Sequence, residues 1–372
     1  MNNKVIKVKQ IFENVYELET HTFLDYKLGI SKASSNYDHW SNGGCSAVCK
    51  VCNGHTLIGR NMDLTISNKP AYIIKTAPKG LLKTIGITYF DKFGENSEKI
   101  ALCGGLDPIY YEYAPFLCCD ILNEKGFYVE VNMRSTEYEK DGKSKFGCSG
   151  TNPKSKTRIC ASLLPRYLAD RAISVDDALK IVRDLDIYTP NGSGLDWNLC
   201  FMLADSTGKH GILEIACNKV SFVEEDIQTN FYLTKEFNEI EDFKAGVGRF
   251  EYLKAHYEGI KNDQTMFDTI NDVSYFQMYL GNCKFDPRTE LVGDKPGWTT
   301  KFLLDEANRD VVNQRFDDIQ KGVEEHLKNG TLKDAEKYWK SIFTVVTDCN
   351  AKEMNVRFFE IDEFKVKLSF DF

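Results

Sequence analysis

The pair Asn53-Gly54 stands between two runs, Cys45 to Cys52 and His55 to Asn61. Asn-Gly here predicts a two-residue hairpin turn, because both central residues of such a turn need positive φ. A two-residue turn fixes the register. Residue 52 faces 55, 51 faces 56, and Arg60 falls opposite Ala47. Side chains alternate across a strand, so Cys45, Ala47, Thr56, Ile58 and Arg60 share one face. The hairpin therefore carries a guanidinium to the neighbourhood of the Cys45 thiol. Asp63 lies one residue beyond the register partner of Cys45, where a bend after Met62 is expected to turn it inward.

The rest of the chain reads as strands interrupted by few helices. Residues 4–19 alternate loosely and predict one or two short strands. A polar stretch ending in Asn42-Gly43-Gly44 predicts an accessible loop leading into Cys45. Strands are expected at 71–76, 84–90, 117–122, 127–133, 198–204, 211–216, 219–224, 230–234, 341–347, 354–359 and 363–369. Within 127–133, Tyr128, Glu130 and Asn132 share one face. A helix is expected over 158–171, with Pro165 forcing a kink or a late start. Ser174-Val175-Asp176-Asp177 resembles a capping box and predicts a second helix from Val175 to Leu185. Val311, Val312, Phe316, Ile319, Val323 and Leu327 recur at helical spacing and predict a long amphipathic helix over 304–328. This mixture predicts a layered α+β protein, with one catalytic domain behind a short N-terminal segment.

Composition narrows the partners. The net charge of −8 argues against a general nucleic-acid partner, which needs a basic face. No stretch reaches the roughly 18 apolar residues that span a bilayer, so membrane insertion is not expected. The N-terminus lacks the apolar core of a secretory signal. Twelve cysteines without such a signal suggest reduced thiols and a cytoplasmic protein. The sequence leaves homo-oligomer formation open.

A thiol is a strong nucleophile only as thiolate, and so needs a nearby cation or base. Arg60 supplies the cation. None of the six histidines stands in a context resembling a cysteine–histidine protease. Another base exists if Cys45 becomes the first residue of the working chain. A free α-amine has a pKa of about 7.7–8.0 and can take the thiol proton near neutrality. Gly43-Gly44 suits self-cleavage before Cys45, since glycine tolerates the backbone geometry of attack on its own carbonyl. Residues 1–44 are then a leader and Gly44–Cys45 is the scissile bond.

Gly44-Cys45-Ser46 followed by Gly59-Arg60-Asn61-Met62-Asp63 resembles the start of the choloylglycine hydrolase and penicillin V acylase family. These are cysteine-type N-terminal nucleophile (Ntn) hydrolases that cut linear amides. Four later segments resemble the family in the same order: Asn123-Glu124-Lys125-Gly126 through Asn132, Phe201 to Glu214, Gly248-Arg249-Phe250, and Ile342 to Asp348. The resemblance implies a four-layer αββα sandwich of two antiparallel sheets between helix layers, and no metal or cofactor. It implies that Cys45 supplies thiol and amine and that Arg60 steadies the thiolate. Asp63 would hold the α-amine, Asn132 would donate to the oxyanion, and Arg249 would complete the charge network. One position departs. The family often has asparagine after Leu-Thr in a strand that here reads Tyr232-Leu233-Thr234, and this chain has Lys235. The second oxyanion donor is thus open between Lys235 and, behind it, Asn230.

Plainer readings stand beside these. Cys45, Cys49 and Cys52 could ligate a metal, but no second pair at zinc-like spacing exists and residue 52 points away from the other two. Arg60 with Asp63 could be a surface ion pair, Asn132 an ordinary strand residue, and Arg249 a solvated arginine at a helix start. For function, a small-molecule N-acyl amide substrate ranks first, with penicillin V or conjugated bile salts behind it. The 44 residues before Cys45 look more like those of acyltransferase-like and ceramidase-like relatives. Transfer of the acyl group to an amine instead of water is the second class. A non-catalytic binding relative is the third.

Overall fold

The computed structural model describes residues 5–13, 15–21, 43–64, 71–89, 114–134, 137, 144–189, 198–242, 244–275, 277, 284–285, 310, 314, 317, 321, 325, 328–329, 340–358 and 364–372. The hairpin forms as expected. Strands β3 (Gly43–Cys52) and β4 (His55–Leu64) pair antiparallel with Cys52 opposite His55, Ala47 opposite Arg60 and Cys45 opposite Met62. Asn53 and Gly54 have φ of 52° and 81°, the doubly positive turn that the dipeptide selects.

Two sheets carry the described structure. In chain order the other strands are β1 (Val5–Phe12), β2 (Val15–Thr20), β5 (Ala71–Thr76), β6 (Thr84–Tyr89), β7 (Asp120–Asn123), β8 (Tyr128–Met133), β9 (Thr157–Cys160), β10 (Leu185–Tyr188), β11 (Leu199–Ala204), β12 (His210–Ala216), β13 (Lys219–Val223), β14 (Ile227–Gln228), β15 (Lys340–Asp348), β16 (Glu353–Phe358) and β17 (Phe364–Leu368). The nine-stranded sheet runs β1-β2-β5-β6-β7-β8-β11-β12-β13, and the six-stranded sheet runs β14-β3-β4-β15-β16-β17. Pairing within both is antiparallel except that β2 lies parallel to β5. β9 and β10 form a small parallel pair outside the two sheets.

Among the described residues, the α-helices with defined bounds are α1 (Leu164–Ala169), α2 (Val175–Arg183), α3 (Lys235–Asn238), α4 (Val247–His256) and α5 (Asp263–Asn271). Three apolar layers show how they stack. Leu164, Leu168, Val175 and Val182 of α1 and α2 pack on Phe127, Val129, Phe201 and Leu213 of the nine-stranded sheet. Between the sheets, Cys45, Ala47, Ile58 and Met62 meet Ile85, Ile87, Tyr128 and Met202. On the far side, Val48 and Leu57 lie under Phe250, Leu253, Met266 and Ile270 of α4 and α5. Cys45, Ala47 and Cys49 face one layer while Val48 faces the other, as strand alternation requires. The order is helix, sheet, sheet, helix, which is the four-layer αββα sandwich.

Several expectations change in detail. Residues 158–163 are not α-helical. Thr157–Cys160 is a strand, Ala161–Leu163 a single 3-10 turn, and α1 starts only at Leu164. Pro165 sits in its first turn, where the missing N–H costs nothing. Ser174 caps α2 by accepting from Asp177, but the helix ends at Arg183, and Leu185 opens β10. The strand expected at 230–234 is absent: β14 stops at Gln228, and Asn230 forms only an isolated bridge to Ala245. β7 starts three residues later than expected, after a 3-10 turn over Ala114–Leu117. The apolar positions of the 304–328 helix lie outside the described residues. Asp310, Gln314, Asp317, Lys321, Glu325 and Lys328 are described, helical and exposed, which suits the solvent face of such a helix.

The segment before Cys45 is built into the domain. β2 pairs with β5 over all six of its residues, and Val15 and Leu18 are fully buried in two different apolar layers. The Phe12 ring stacks on Phe364 at 4.6 Å and that of Tyr16 on Tyr72 at 5.3 Å. Among the described residues no helix is long and apolar enough to cross a membrane. The ten described cysteines are all free thiols.

Candidate active site

Cys45 sits in β3 just past the point where pairing with β14 gives out, while its pairing with β4 continues. β14 pairs with β3 only at Val48 and Ala47. Carried two residues further, that ladder would place Asn230 opposite Cys45, but the backbone has already left the sheet. The Asn230 side chain takes over: its Oδ1 accepts the Cys45 backbone N–H at 3.0 Å. Asn230 Nδ2 donates to Met133 O at 2.7 Å, which fixes the amide orientation.

Arg249 holds the same point from the helix layer. Its Nη1 donates to Cys45 O at 2.6 Å and to Ser46 Oγ at 2.7 Å, and its Nη2 donates to Asn230 Oδ1 at 2.6 Å. The side chain is fully buried at the start of α4, not solvated. Gly246 caps that helix at φ 82°, and a Cβ there would come within 2.7 Å of Arg249 Nη2 and 2.8 Å of Thr229. Both the conformation and the space call for glycine.

Arg60 approaches from the other face. It is fully buried, and its Nη2 lies 3.8 Å from Cys45 Sγ while donating to Val131 O at 2.7 Å. Its Nη1 donates to Asp120 Oδ2 at 2.6 Å and its Nε to Glu130 Oε2 at 2.8 Å. The Tyr128 hydroxyl donates to the other Asp120 oxygen. Arg60 is therefore paired with Asp120 and Glu130 across the sheet interface, not with Asp63 at a surface.

Asp63 does not turn inward. β4 keeps its register with β3 to Leu64, the bulge at this point lying on β15, so Asp63 points to the helix-layer face while Arg60 and Met62 point between the sheets. It pairs in register with Gly44 and accepts from the Ser341 hydroxyl. That keeps its charge beside the Gly44–Cys45 bond, and its field acts on the Cys45 thiol. Asn132 is fully buried on the same face of β8 as Glu130. Its Nδ2 reaches Thr229 O only at 3.5 Å, and its Oδ1 meets no polar partner among the described residues. Lys235 lies elsewhere: its side chain is 88% exposed at the start of α3, 3.8 Å from Glu239. Of the two residues left open as second oxyanion donor, Asn230 is the one that lies against Cys45.

Burial pushes the Cys45 thiol up to about 12, against the opposing pull of Arg60. In the uncut chain the sulfur is therefore a thiol at neutral pH. None of the described histidines bonds to it. His210 is engaged by Asp226 at 2.6 Å and by Gly208 O at 2.8 Å. Cys49 packs between the sheets and Cys52 beneath the helix layer, so the three neighbouring cysteines do not converge.

The profile of linear amide C–N hydrolases of the choloylglycine hydrolase family matches residues 45–235, about half of the chain, starting at Cys45 itself. The chain belongs to this family. A search of curated proteins found no match. Among solved structures, penicillin V acylase from Agrobacterium tumefaciens is similar at 12% identity and a TM-score of 0.48, over 87% of this chain and 86% of that one. A variant of conjugated bile acid hydrolase from Clostridium perfringens is similar at 14% identity and a TM-score of 0.42, over 87% and 92%.

Asn230, Asp120 and Glu130 are the residues around Cys45 and Arg60 that sequence reasoning ranked low or did not single out. A usable signal existed for Glu130. It shares a strand face with Tyr128 and Asn132, and a carboxylate on a strand this apolar needs a buried cation.

Proposed function

We propose that this family member hydrolyses an N-acyl amide with Cys45 as an N-terminal nucleophile, exposed when the chain cleaves its own Gly44–Cys45 bond. The supporting observation is that sulfur, nitrogen and carbonyl oxygen of Cys45 are each attended by a different buried side chain: Arg60, Asn230 and Arg249. A structural core cysteine has no need of three such partners.

In self-cleavage the Cys45 thiol attacks the Gly44 carbonyl. The acyl group moves from nitrogen to sulfur, which frees the Cys45 amine, and water then hydrolyses the thioester to release Gly44 as a carboxylate and restore the thiol. That amine is the base for turnover. It takes the thiol proton, and sulfur adds to the substrate carbonyl beside Arg60. The Asn132 amide donates to the oxyanion, a role worth about 2.7–4 kcal/mol for a single donor. The amine product leaves with the proton held by the Cys45 nitrogen, and water opens the thioester. Asn230 and Arg249 keep the nitrogen and the adjacent carbonyl in place, and Asp63 supplies negative charge beside the new ammonium.

Intact-mass measurement of the denatured protein tests the reading. Separate 1–44 and 45–372 fragments are expected, with Cys45→Ala uncut and inert. Amide hydrolysis by an uncut species, or by Cys45→Ala, refutes it. Amine release from N-acyl amino acids, penicillin V and glycine-conjugated bile salts then ranks the acyl groups.

A further inference from the structure

We propose that Glu130 sets how readily Cys45 ionises by competing with its sulfur for the Arg60 guanidinium. The inference rests on the reading of Cys45 as the nucleophile. Arg60 reaches the sulfur at 3.8 Å, and it is shared. Nη1 is committed to Asp120, Nε to Glu130, and only Nη2 reaches Sγ. Nη2 is itself divided, donating to Val131 O at 2.7 Å and lying 3.7 Å from Met62 Sδ, so Glu130 and the sulfur draw on one heavily shared guanidinium.

Charge counting gives the consequence. With Asp120 and Glu130 both ionised, the buried Arg60 group already carries one net negative charge, and a thiolate adds a second. With Glu130 protonated, Arg60 and Asp120 form a neutral pair, and the thiolate is the only excess charge. Arg60, Asp120 and Glu130 all have fully buried side chains, so solvent does little to weaken the difference. The groups facing Glu130 are Arg60 from β4, Cys45 from β3, Asp120 from β7, Tyr128 on its own strand, and Cys200 with the Met202 backbone from β11. Cys119 adds to the field on Arg60. Glu130 has a proton to exchange in the working range. Burial drives its carboxyl up to about 7, further than Arg60 pulls it down.

Glu130 is thus a positioning residue that acts through Arg60, and Glu130→Gln separates this role from simple anchoring. Glutamine keeps an oxygen for the Arg60 Nε and mimics the protonated acid permanently. The self-cleaved enzyme is alkylated with limiting iodoacetamide from about pH 5 to about pH 9, and the label on Cys45 is read by peptide mass. The variant should label about tenfold faster at neutral pH, the equivalent of one pKa unit. A profile unmoved, or shifted to higher pH, overturns the inference. Should the variant fail to fold, the wild type still decides. Its profile should spread over more than one ionisation, because Glu130 loses its proton in the same range. A single sharp ionisation overturns the inference. Amide hydrolysis by Cys45→Ala removes the nucleophile and this inference together. An unmoved Glu130→Gln profile beside an inert Cys45→Ala removes this inference alone.

Discussion

The side-chain oxygen of Asn230 accepts the backbone N–H of Cys45 at 3.0 Å across 185 positions of sequence. The same oxygen accepts from Arg249 at 2.6 Å, so one atom joins the Cys45 nitrogen to a buried cation. The segment carrying Asn230 is irregular and is held by side chains instead of a ladder. Glu214 accepts from the N–H groups of Leu233 and Thr234, each at 2.8 Å, and Arg134 donates to Thr229 O. Asn230→Ala removes the shared acceptor and leaves a buried charged donor short of a partner. The expected loss is about 1–3 kcal/mol of stability, read by urea unfolding of Cys45→Ala backgrounds so that both chains are uncut. Cleavage of the single variant, followed by mass, should slow at least tenfold. Cleavage at the wild-type rate would show that Asn230 is only scaffolding.

Gly44 is required for space, because a Cβ at this position would lie 2.6–2.7 Å from three atoms of the Tyr275 ring end. Gly44→Ala should therefore destabilise the uncut chain by about 1–3 kcal/mol, the usual cost of overpacking. Tyr275→Leu removes the colliding atoms. In the double variant the penalty should be smaller than the two single losses combined, a coupling read by a double-mutant cycle in thermal melts. Strict additivity would mean that the ring swings away freely.

The hairpin was legible because a two-residue turn converts sequence spacing into spatial register with no further information. The Arg60–Cys45 approach came with it. The bend expected after Met62 does not form, because β4 stays in register with β3 through Asp63 and Leu64 and the irregularity at this point falls on β15, between Ser341 and Phe343. Asn230 was ranked low for a different reason. Its position depends on β14 pairing with β3, a contact between segments about 180 residues apart that no local pattern encodes. The same holds for Asp120, whose partner Arg60 lies 60 positions away in the facing sheet. Local chemistry was readable, whereas sheet-to-sheet contacts had to be seen.

Glu241 makes stability depend on pH. Burial raises its carboxyl from 4.5 to about 8, more than its hydrogen bond from Tyr232 N and the charge of Arg134 lower it. The folded state therefore holds a proton that the unfolded chain has already released above pH 4.5. Where the folded state binds more protons, stability falls as pH rises. Thermal melts should show a declining midpoint between about pH 5 and about pH 8, flattening beyond the folded-state value. Glu241→Gln keeps an acceptor for Tyr232 N without the titration, and should flatten most of that slope. Glu130, raised to about 7 by the same cause, accounts for part of what remains. A wild-type midpoint that rises over this range would contradict the assignment.

If the proposed cut at Gly44–Cys45 occurs, residues 1–44 should stay bound after it. β2 supplies the β5 edge with six residues of parallel pairing, and Lys75 on β5 reaches Glu17 at 3.1 Å. Val15 lies in the layer between the sheets and Leu18 in the layer under α1 and α2. Fully burying each such side chain contributes about 1.5–3 kcal/mol, and departure of the strand would also bare a long sheet edge. After cutting at Gly44–Cys45, the denatured protein should give two fragments while the native protein elutes as one species holding both. Leu18→Asp places an unpaired charge in an apolar layer and should release the leader or lower the melting midpoint by several degrees. Loss of residues 1–44 from the native wild type on cleavage would show that β1 and β2 serve the precursor alone.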